Sequence, residues 1–322
     1  MKENYSKAAA ATFVLNKGEN IHRWYRYLEG YSAVLIEGII QEIGVENIRT
    51  IYDPFCGTGT TALVASRYDI LSYYSETNPF MREVIEAKIN CVKRLRDSGV
   101  KAKYLKSFRK KIVNYNYCVQ LETPTWDGFE RFFDEDVLFQ LKDLLALVNE
   151  IRDKDSREIA LVSLASVVVR VSNMVRQGDL RFAKKKEKKS SDKDVVSNFD
   201  EKLQEVIEDI ESLDCPTRAE TICLASDSRN IDVESILDCV ITSPPYLNGT
   251  NYIRNTKLEL KLSGYVVSEK DLPEFHSKGI ISGINNVSNR KTELKAHECV
   301  QTYLDKLKPV AYDRRIPLMV SG

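Results

Sequence analysis

The chain has no excess of either charge, no long apolar run and no paired-cysteine spacing, and each absence removes a class of function. Lysine and arginine number 47, as do aspartate and glutamate, so the 322-residue molecule has a formal net charge of zero. It is not a polycation, and any grip on an acidic polymer must come from a local basic surface. The seven cysteines include no C-x-x-C pair. That excludes the usual zinc-site and disulfide-framework spacings and predicts reduced thiols, no metal and a cytoplasmic setting. The N-terminus is polar apart from Ala8–Ala11, and no stretch approaches the roughly 20 apolar residues that cross a bilayer, so neither export nor membrane insertion is expected. Apolar residues make up 43%, enough for a substantial core, and the length allows one large domain or two.

Two short runs carry chemistry. The first, Asp53-Pro54-Phe55-Cys56-Gly57-Thr58-Gly59-Thr60, follows the apolar approach Ile48–Tyr52 and precedes Thr61–Ala65, so it reads as strand, glycine turn, helix. Gly57 and Gly59 let the backbone turn tightly and approach a ligand, and the helix behind them offers unpaired N–H groups. A phosphate-cradling loop would end in Gly-Lys-Ser/Thr, whereas Gly59 is followed by Thr60-Thr61. The three-glycine spacing of a dinucleotide site is also absent. A ligand with a polar, partly cationic end beside Asp53 remains, which suits the methionine part of S-adenosylmethionine. One βα unit later, Ile70–Tyr74 reads as a second strand ending near Glu76, where an acidic side chain accepts from ribose hydroxyls.

The same rhythm resumes near the C-terminus. Thr221–Ala225 reads as a strand ending near Asp227, a candidate acceptor for an adenine amino group. Leu237–Ile241 reads as another, ending at the second run, Thr242-Ser243-Pro244-Pro245-Tyr246. Pro244 and Pro245 lack N–H groups and have fixed φ, so they make a rigid turn whose carbonyls face a site. Ser243 adds a hydroxyl and Tyr246 a flat face. Both polar ends fall at the carboxyl edge of a parallel sheet, where open α/β sheets bind ligands.

With these residues in view, the chain resembles the amino-methylating DNA methyltransferases. In that family a turn of the form Asp-Pro-Phe-x-Gly-x-Gly binds S-adenosylmethionine, and a Ser/Asn/Asp-Pro-Pro-aromatic turn holds the target amino group. Serine in the first position, here Ser243, is similar to the cytosine-N4 branch, whereas Asp or Asn is more typical of the adenine-N6 branch. Asn20–Ser32 also resembles the segment that closes over the methionine end in some members. The resemblance implies that Asp53, Pro54, Phe55, Gly57, Gly59 and Thr60 meet the methionine end of the cofactor. It further places Glu76 at the ribose, Asp227 at the adenine, and Ser243, Pro244, Pro245 and Tyr246 at a cytosine flipped out of double-stranded DNA. Carbon-5 chemistry would need a cysteine nucleophile after a proline, and none stands at the 242–246 turn.

The expected fold class is α/β: a Rossmann-like methyltransferase sheet with a large, mostly helical insertion. The expected organisation is an N-terminal segment and cofactor half at 1–80, a helical insertion for target recognition at 81–219, and a catalytic half at 220–322. Within the insertion, 84–95, 137–151, 158–174 and 199–210 carry apolar residues at three- and four-residue steps. Ser190–Asp194 reads as a flexible loop. Two basic stretches are candidate DNA surfaces: Lys101–Lys111, and Arg170 through Arg176 and Arg181 into Lys184, Lys185 and Lys186. After Tyr246 the sequence reads as a helix near Thr256–Leu262, a Gly/Asn-rich loop at Ile281–Asn289 and a polar helix from Glu293 to Leu307. No β-branched run supplies the three further strands of such a sheet. The C-terminal strands are therefore expected to be missing, with a second polypeptide completing the fold, or to form in a way the pattern does not reveal. The enzymatic expectation is cytosine-N4 methylation, with adenine-N6 methylation or a subunit inactive alone as the alternatives.

Overall fold

The computed structural model describes residues 7–27, 30–115, 126–212, 218–229, 231, 237–246, 251–279, 298–313 and 315–321. Its strands are β1 (Thr50–Asp53), β2 (Leu71–Ser75), β3 (Met174–Gln177), β4 (Asp179–Phe182), β5 (Thr221–Ala225) and β6 (Cys239–Val240). Four of them form a parallel sheet in the order β5-β2-β1-β6, while β3 and β4 pair as an antiparallel hairpin. Ile51 and Tyr52 of β1 lie opposite Ser72 and Tyr73 of β2 on one side, and opposite Cys239 and Val240 of β6 on the other. Every pair in this sheet is parallel, so the four strands end at one edge. The chain leaves β1 for β2 in one direction and returns to its other side as β6, and such a switch point leaves a crevice at the carboxyl edge.

One face of the sheet is covered by the helices Ala33–Ile43 and Thr60–Arg67, whose Ile36, Ile40, Val64 and Ala65 pack with Ile51 and Ile70 in one apolar cluster. Each such aliphatic side chain contributes about 1.5–3 kcal/mol when fully buried. The first helix is capped by Ser32, whose hydroxyl accepts from the Leu35 N–H at 3.4 Å.

The chain between β2 and β5 is mostly helical, as the periodicity predicts. A continuous helix runs from Pro79–Glu86 through a π-turn at Ala87–Cys91 into Val92–Asp97. The helices Lys103–Val113, Glu135–Asn149, Lys154–Val171 and Val195–Glu211 follow. Lys154–Val171 buries residues around much of its circumference, including Ile159, Val162, Leu164, Val167 and Val168, which marks the central helix of a bundle. Two expectations change here. The helical pattern stops at Val171, and Met174 opens the β3–β4 hairpin, because Gly178 at φ +75° accepts the left-handed turn between the strands. Ser190–Asp194 is not a loose loop: Ser190–Lys193 forms a 3-10 turn, and the Lys189 N–H donates to the Asp192 carboxylate at 2.9 Å.

Beyond β6 lie the short helices Tyr252–Asn255 and Lys257–Leu262, then Leu272–Lys278, Glu298–Leu307 and Arg315–Ser321. The loop read at Ile281–Asn289 falls outside the described residues. Among the described residues no further strand joins the sheet after β6, and Val240 on that edge is 56% exposed. Among the described residues no helix is long and apolar enough to cross a membrane.

Candidate active site

The loops leaving the carboxyl edge of the sheet converge on one cleft. Pro54, Phe55, Gly57 and Thr60 from the glycine turn line it, together with Glu76, Asp227 and all four residues Ser243, Pro244, Pro245 and Tyr246. The N-terminal segment contributes Tyr27, Gly30 and Tyr31 to the same wall. Residues nearly 190 positions apart in sequence therefore face one another because β1 sits between β2 and β6.

The glycine turn is built by its two left-handed residues. Gly57 has φ +55°, its N–H donates to Glu76 Oε2 at 2.9 Å, and a Cβ there would meet the Tyr27 ring at 3.1 Å. Gly59 has φ +82° and caps the Thr60–Arg67 helix; a Cβ there would lie 3.0 Å from Ile85. Gly59 does not face the cleft, so its contribution is conformational. Glu76 also accepts from the Asn78 N–H at 2.8 Å, which fixes its carboxylate against the turn. Burial pushes the Glu76 carboxyl up to about 7, against the lowering effect of the Asn78 and Gly57 N–H groups. A carboxylate held at a glycine cradle that a Cβ would fill suits a ligand bearing vicinal hydroxyls, and the site fits a nucleoside cofactor.

Asp53 is not where the sequence put it. It is 1% exposed and does not line the cleft. As the last residue of β1 its carboxylate is claimed from within: Oδ2 accepts from the Tyr31 hydroxyl at 2.8 Å and Oδ1 from the Phe55 N–H at 3.1 Å. Burial raises its pKa. Asp53 therefore braces the turn and Tyr31, and Tyr31 presents the surface above it.

Beyond the end of β5, next to the Glu76 side, Asp227 is paired with Arg229 at 2.7 Å, and that guanidinium holds the carboxyl below the usual range, ionised and able to accept. In the proline turn the Ser243 hydroxyl and the Tyr246 phenol are 2.8 Å apart, so the turn closes on itself, while the Tyr246 ring stays half exposed. The Tyr246 N–H points to the Tyr252 hydroxyl at 3.4 Å. Sequence reasoning missed Asn251, Tyr252, Ile253, Thr256 and His276, which line the cleft from the segment after the proline turn. Asn78 donates to the Thr256 hydroxyl at 2.8 Å, tying the end of β2 to that segment. No motif announces these residues; only the close return of the chain after Tyr246 hints at them.

Comparison with known proteins finds relatives of one kind. Over 329 aligned positions the chain is 27% identical to the Type II methyltransferase M.BsoBI of Geobacillus stearothermophilus, covering 87% of this chain and 59% of that protein. It resembles Type II methyltransferases along most of its length. The Type II methyltransferase M.AvaI of Nostoc sp. is 26% identical over 306 positions, covering 85% of this chain and 60% of the relative. M.MvaI of Kocuria varians is 21% identical over 346 positions, covering 94% and 75%. The chain thus spans about three-fifths of the length of the first two relatives. No family model matches it, and no solved structure does. The likeness read from two turns extends through the helical middle, on which those turns are silent.

The basic residues of this methyltransferase-like chain divide by environment. Arg176, expected at DNA, is buried instead: its guanidinium pairs with the buried Glu259 and donates to the Asn255 carbonyl at 2.6 Å and the Tyr25 hydroxyl at 3.2 Å. Leu180 N–H donates to Asn255 Oδ1 at 2.7 Å, and Asn255 Nδ2 to the Gly178 carbonyl at 2.8 Å. The hairpin is thereby bolted to the helices after the proline turn. Arg181 is held by both carboxylate oxygens of Glu187, at 2.8 and 2.9 Å. Lys184, Lys185 and Lys186 are exposed beside it. In the other basic stretch Lys106 is held by Glu211 at 2.6 Å, Arg109 by Asp200 at 2.6 Å and Lys111 by Glu150 at 2.5 Å in surface ion pairs, while Lys101, Lys103 and Lys110 are exposed.

Proposed function

We propose that this chain carries the cofactor and target-amine sites of a cytoplasmic DNA methyltransferase that modifies the exocyclic N4 of cytosine in a restriction-modification setting. The observation that supports this most is the meeting, in one cleft, of the glycine turn with Glu76 and Asp227 on its β2–β5 side and the Ser243–Tyr246 turn on its β6 side. Bound there, S-adenosylmethionine would supply an electrophilic methyl group. Glu76 accepts from the ribose hydroxyls, Asp227 from the adenine amine, and Tyr31, Phe55 and Thr60 enclose the amino-acid end. The target base must leave the duplex to enter, and Tyr246 gives it a stacking face. An exocyclic amine is a poor nucleophile because its lone pair is delocalised into the ring. The Ser243 and Pro244 carbonyls, with the Ser243 hydroxyl, would accept its hydrogens and turn the lone pair towards the methyl group; the carbon–sulfur bond breaks as the carbon–nitrogen bond forms, S-adenosylhomocysteine leaves, the surplus amine proton passes to water, and positioning supplies much of the acceleration.

In this reading residues 81–219 read the target, and Lys184, Lys185 and Lys186 contact phosphate. The exposed Val240 on the β6 edge favours a second reading, in which activity needs a further polypeptide that pairs with that edge. The test digests treated DNA to nucleosides and identifies the product by mass and chromatography, with and without candidate partner chains. N4-methylcytosine lost in Ser243→Ala is expected. N6-methyladenine would transfer the assignment to adenine, and no product alone but product with a partner would establish the second reading. Calorimetry showing no S-adenosylmethionine binding at millimolar ligand would remove the cofactor.

A further inference from the structure

We propose that Lys88 is a positioning residue for the amino-acid end of the cofactor, a buried ammonium behind the glycine turn that favours a ligand carboxylate seated on the turn's other side. The inference rests on the cofactor reading above. Lys88 lies in the π-turn Ala87–Cys91, a local widening that displaces a side chain from the ordinary helical register and recurs at functional sites. It is 1% exposed, and its Nζ donates to the carbonyl of Thr58, a residue that lines the cleft, at 3.2 Å. Among the described residues no carboxylate lies within ion-pair distance of that Nζ.

The titratable groups coupled to Lys88 come from three neighbouring elements. Cys56 belongs to the turn, Lys202 to the Val195–Glu211 helix, and His22, which has Arg67 as a further neighbour in charge, to the N-terminal segment. None of these supplies a negative charge at neutral pH, and the carboxylates that meet the π-turn, Glu86 on Asn90 and Glu158 on Cys91, are bonded to other residues of it. His22 is itself buried, with no partner on Nε2, and burial followed by Lys88 and Arg67 keeps its pKa low. Burial and Lys202 bring Lys88 down to about 7. A buried ammonium without a counter-ion is costly, and an incoming carboxylate relieves that cost. S-adenosylmethionine carries a carboxylate only at its methionine end, and Thr58 is the residue through which Lys88 reaches that part of the cleft.

The test compares S-adenosylhomocysteine with its decarboxylated analogue, which keeps the adenosine, the sulfur and the amine and loses only the carboxylate. By calorimetry, Lys88→Met is expected to weaken S-adenosylhomocysteine about tenfold or more and the analogue by less than about twofold. In wild type the ratio of the two affinities is expected to fall from pH 6 to 8.5 as Lys88 loses its proton. Glu76 acts on both ligands alike and cancels from the ratio. Equal weakening of both ligands would make Lys88 a mere support for the turn and overturn the inference, as would no weakening of either. Should Lys88→Met fail to fold, the wild-type ratio still decides, and a flat ratio refutes the proposal. If wild type binds the analogue but Lys88→Met leaves both affinities unchanged, only this inference falls. If wild type binds neither ligand, the cofactor reading falls with it.

Discussion

Replacing Glu76 with glutamine separates ligand recognition from stability. Burial pushes the folded carboxyl up to about 7 from an ordinary 4.5. At about 1.4 kcal/mol per unit this is about 3 kcal/mol, an upper bound because the carboxylate keeps some contact with solvent at the cleft. The sign follows from proton counting. Between pH 4.5 and 7 the folded state holds a proton that the unfolded state has released, so stability falls as pH rises through that window and levels off above it. Glutamine cannot ionise and escapes this loss. It pays elsewhere, because its carbonyl satisfies one of the Gly57 and Asn78 N–H groups while its NH2 confronts the other, costing about 1–3 kcal/mol. The two effects nearly cancel near pH 8, so Glu76→Gln should melt within a few degrees of wild type. Binding should not cancel. Two charge-assisted hydrogen bonds to ribose hydroxyls at about 1.5–3 kcal/mol each weaken together, and a loss of about 3 kcal/mol corresponds to roughly 100-fold in affinity. Calorimetry with the decarboxylated analogue, for which Lys88 is silent, reads Glu76 alone. Wild-type affinity should climb up to about tenfold per pH unit below 7 and flatten above it, and Glu76→Gln should be flat throughout. A variant that binds as tightly as wild type with the same pH slope would refute the placement of the ribose at Glu76.

The basic residues give opposite expectations. Arg176→Met removes one partner of a buried ion pair and should cost about 3–5 kcal/mol in urea denaturation, with the salt dependence of DNA binding unchanged. The triple change of Lys184, Lys185 and Lys186 to alanine should leave stability within about 0.5 kcal/mol and reduce the slope of log affinity against log salt by about 2–3, measured by fluorescence anisotropy. Asp209→Asn should cost about 3 kcal/mol or more and expose residues 20–27 to limited proteolysis. Its carboxylate accepts from the Ile21 N–H at 2.8 Å, the Trp24 indole at 2.9 Å and the Arg23 guanidinium at 2.5 and 3.1 Å.

What the sequence discloses is governed by locality. β5 is read to the residue because its apolar run is bounded by polar ends, and the start of β2 is off by one. β6 is expected over five residues and spans two, since it pairs with only Ile51 and Tyr52 of β1. The glycine and proline turns are legible because backbone constraints write themselves into residue type. Burial of a charge is not. Glu259 sits in a polar-looking segment, Lys-Leu-Glu-Leu-Lys-Leu, that gives no sign that the glutamate lies inside and waits for Arg176. Asp53 shows the same limit: a family motif identifies the residue, but only the hydroxyl of Tyr31, 22 positions earlier, turns it from a ligand contact into a brace. Lys88 is invisible for a third reason, since a π-turn leaves no periodic signature within a helix.

The clamp on Asp209 also fixes an order of assembly. Ile21 holds φ +66°, a conformation that a β-branched residue rarely adopts unless its surroundings enforce it, and the enforcing acceptor lies 188 residues downstream. The second neighbour of β1 is equally distant, because Ile51 and Tyr52 wait for Cys239 and Val240. On a ribosome, which releases the N-terminal end first, the glycine turn, its helix and β2 are made early but can be neither roofed nor flanked on the β6 side until most of the chain has emerged. The cleft is thus among the last parts of this protein to exist, and a nascent chain stopped before residue 209 has its glycine turn but no closed cleft around it.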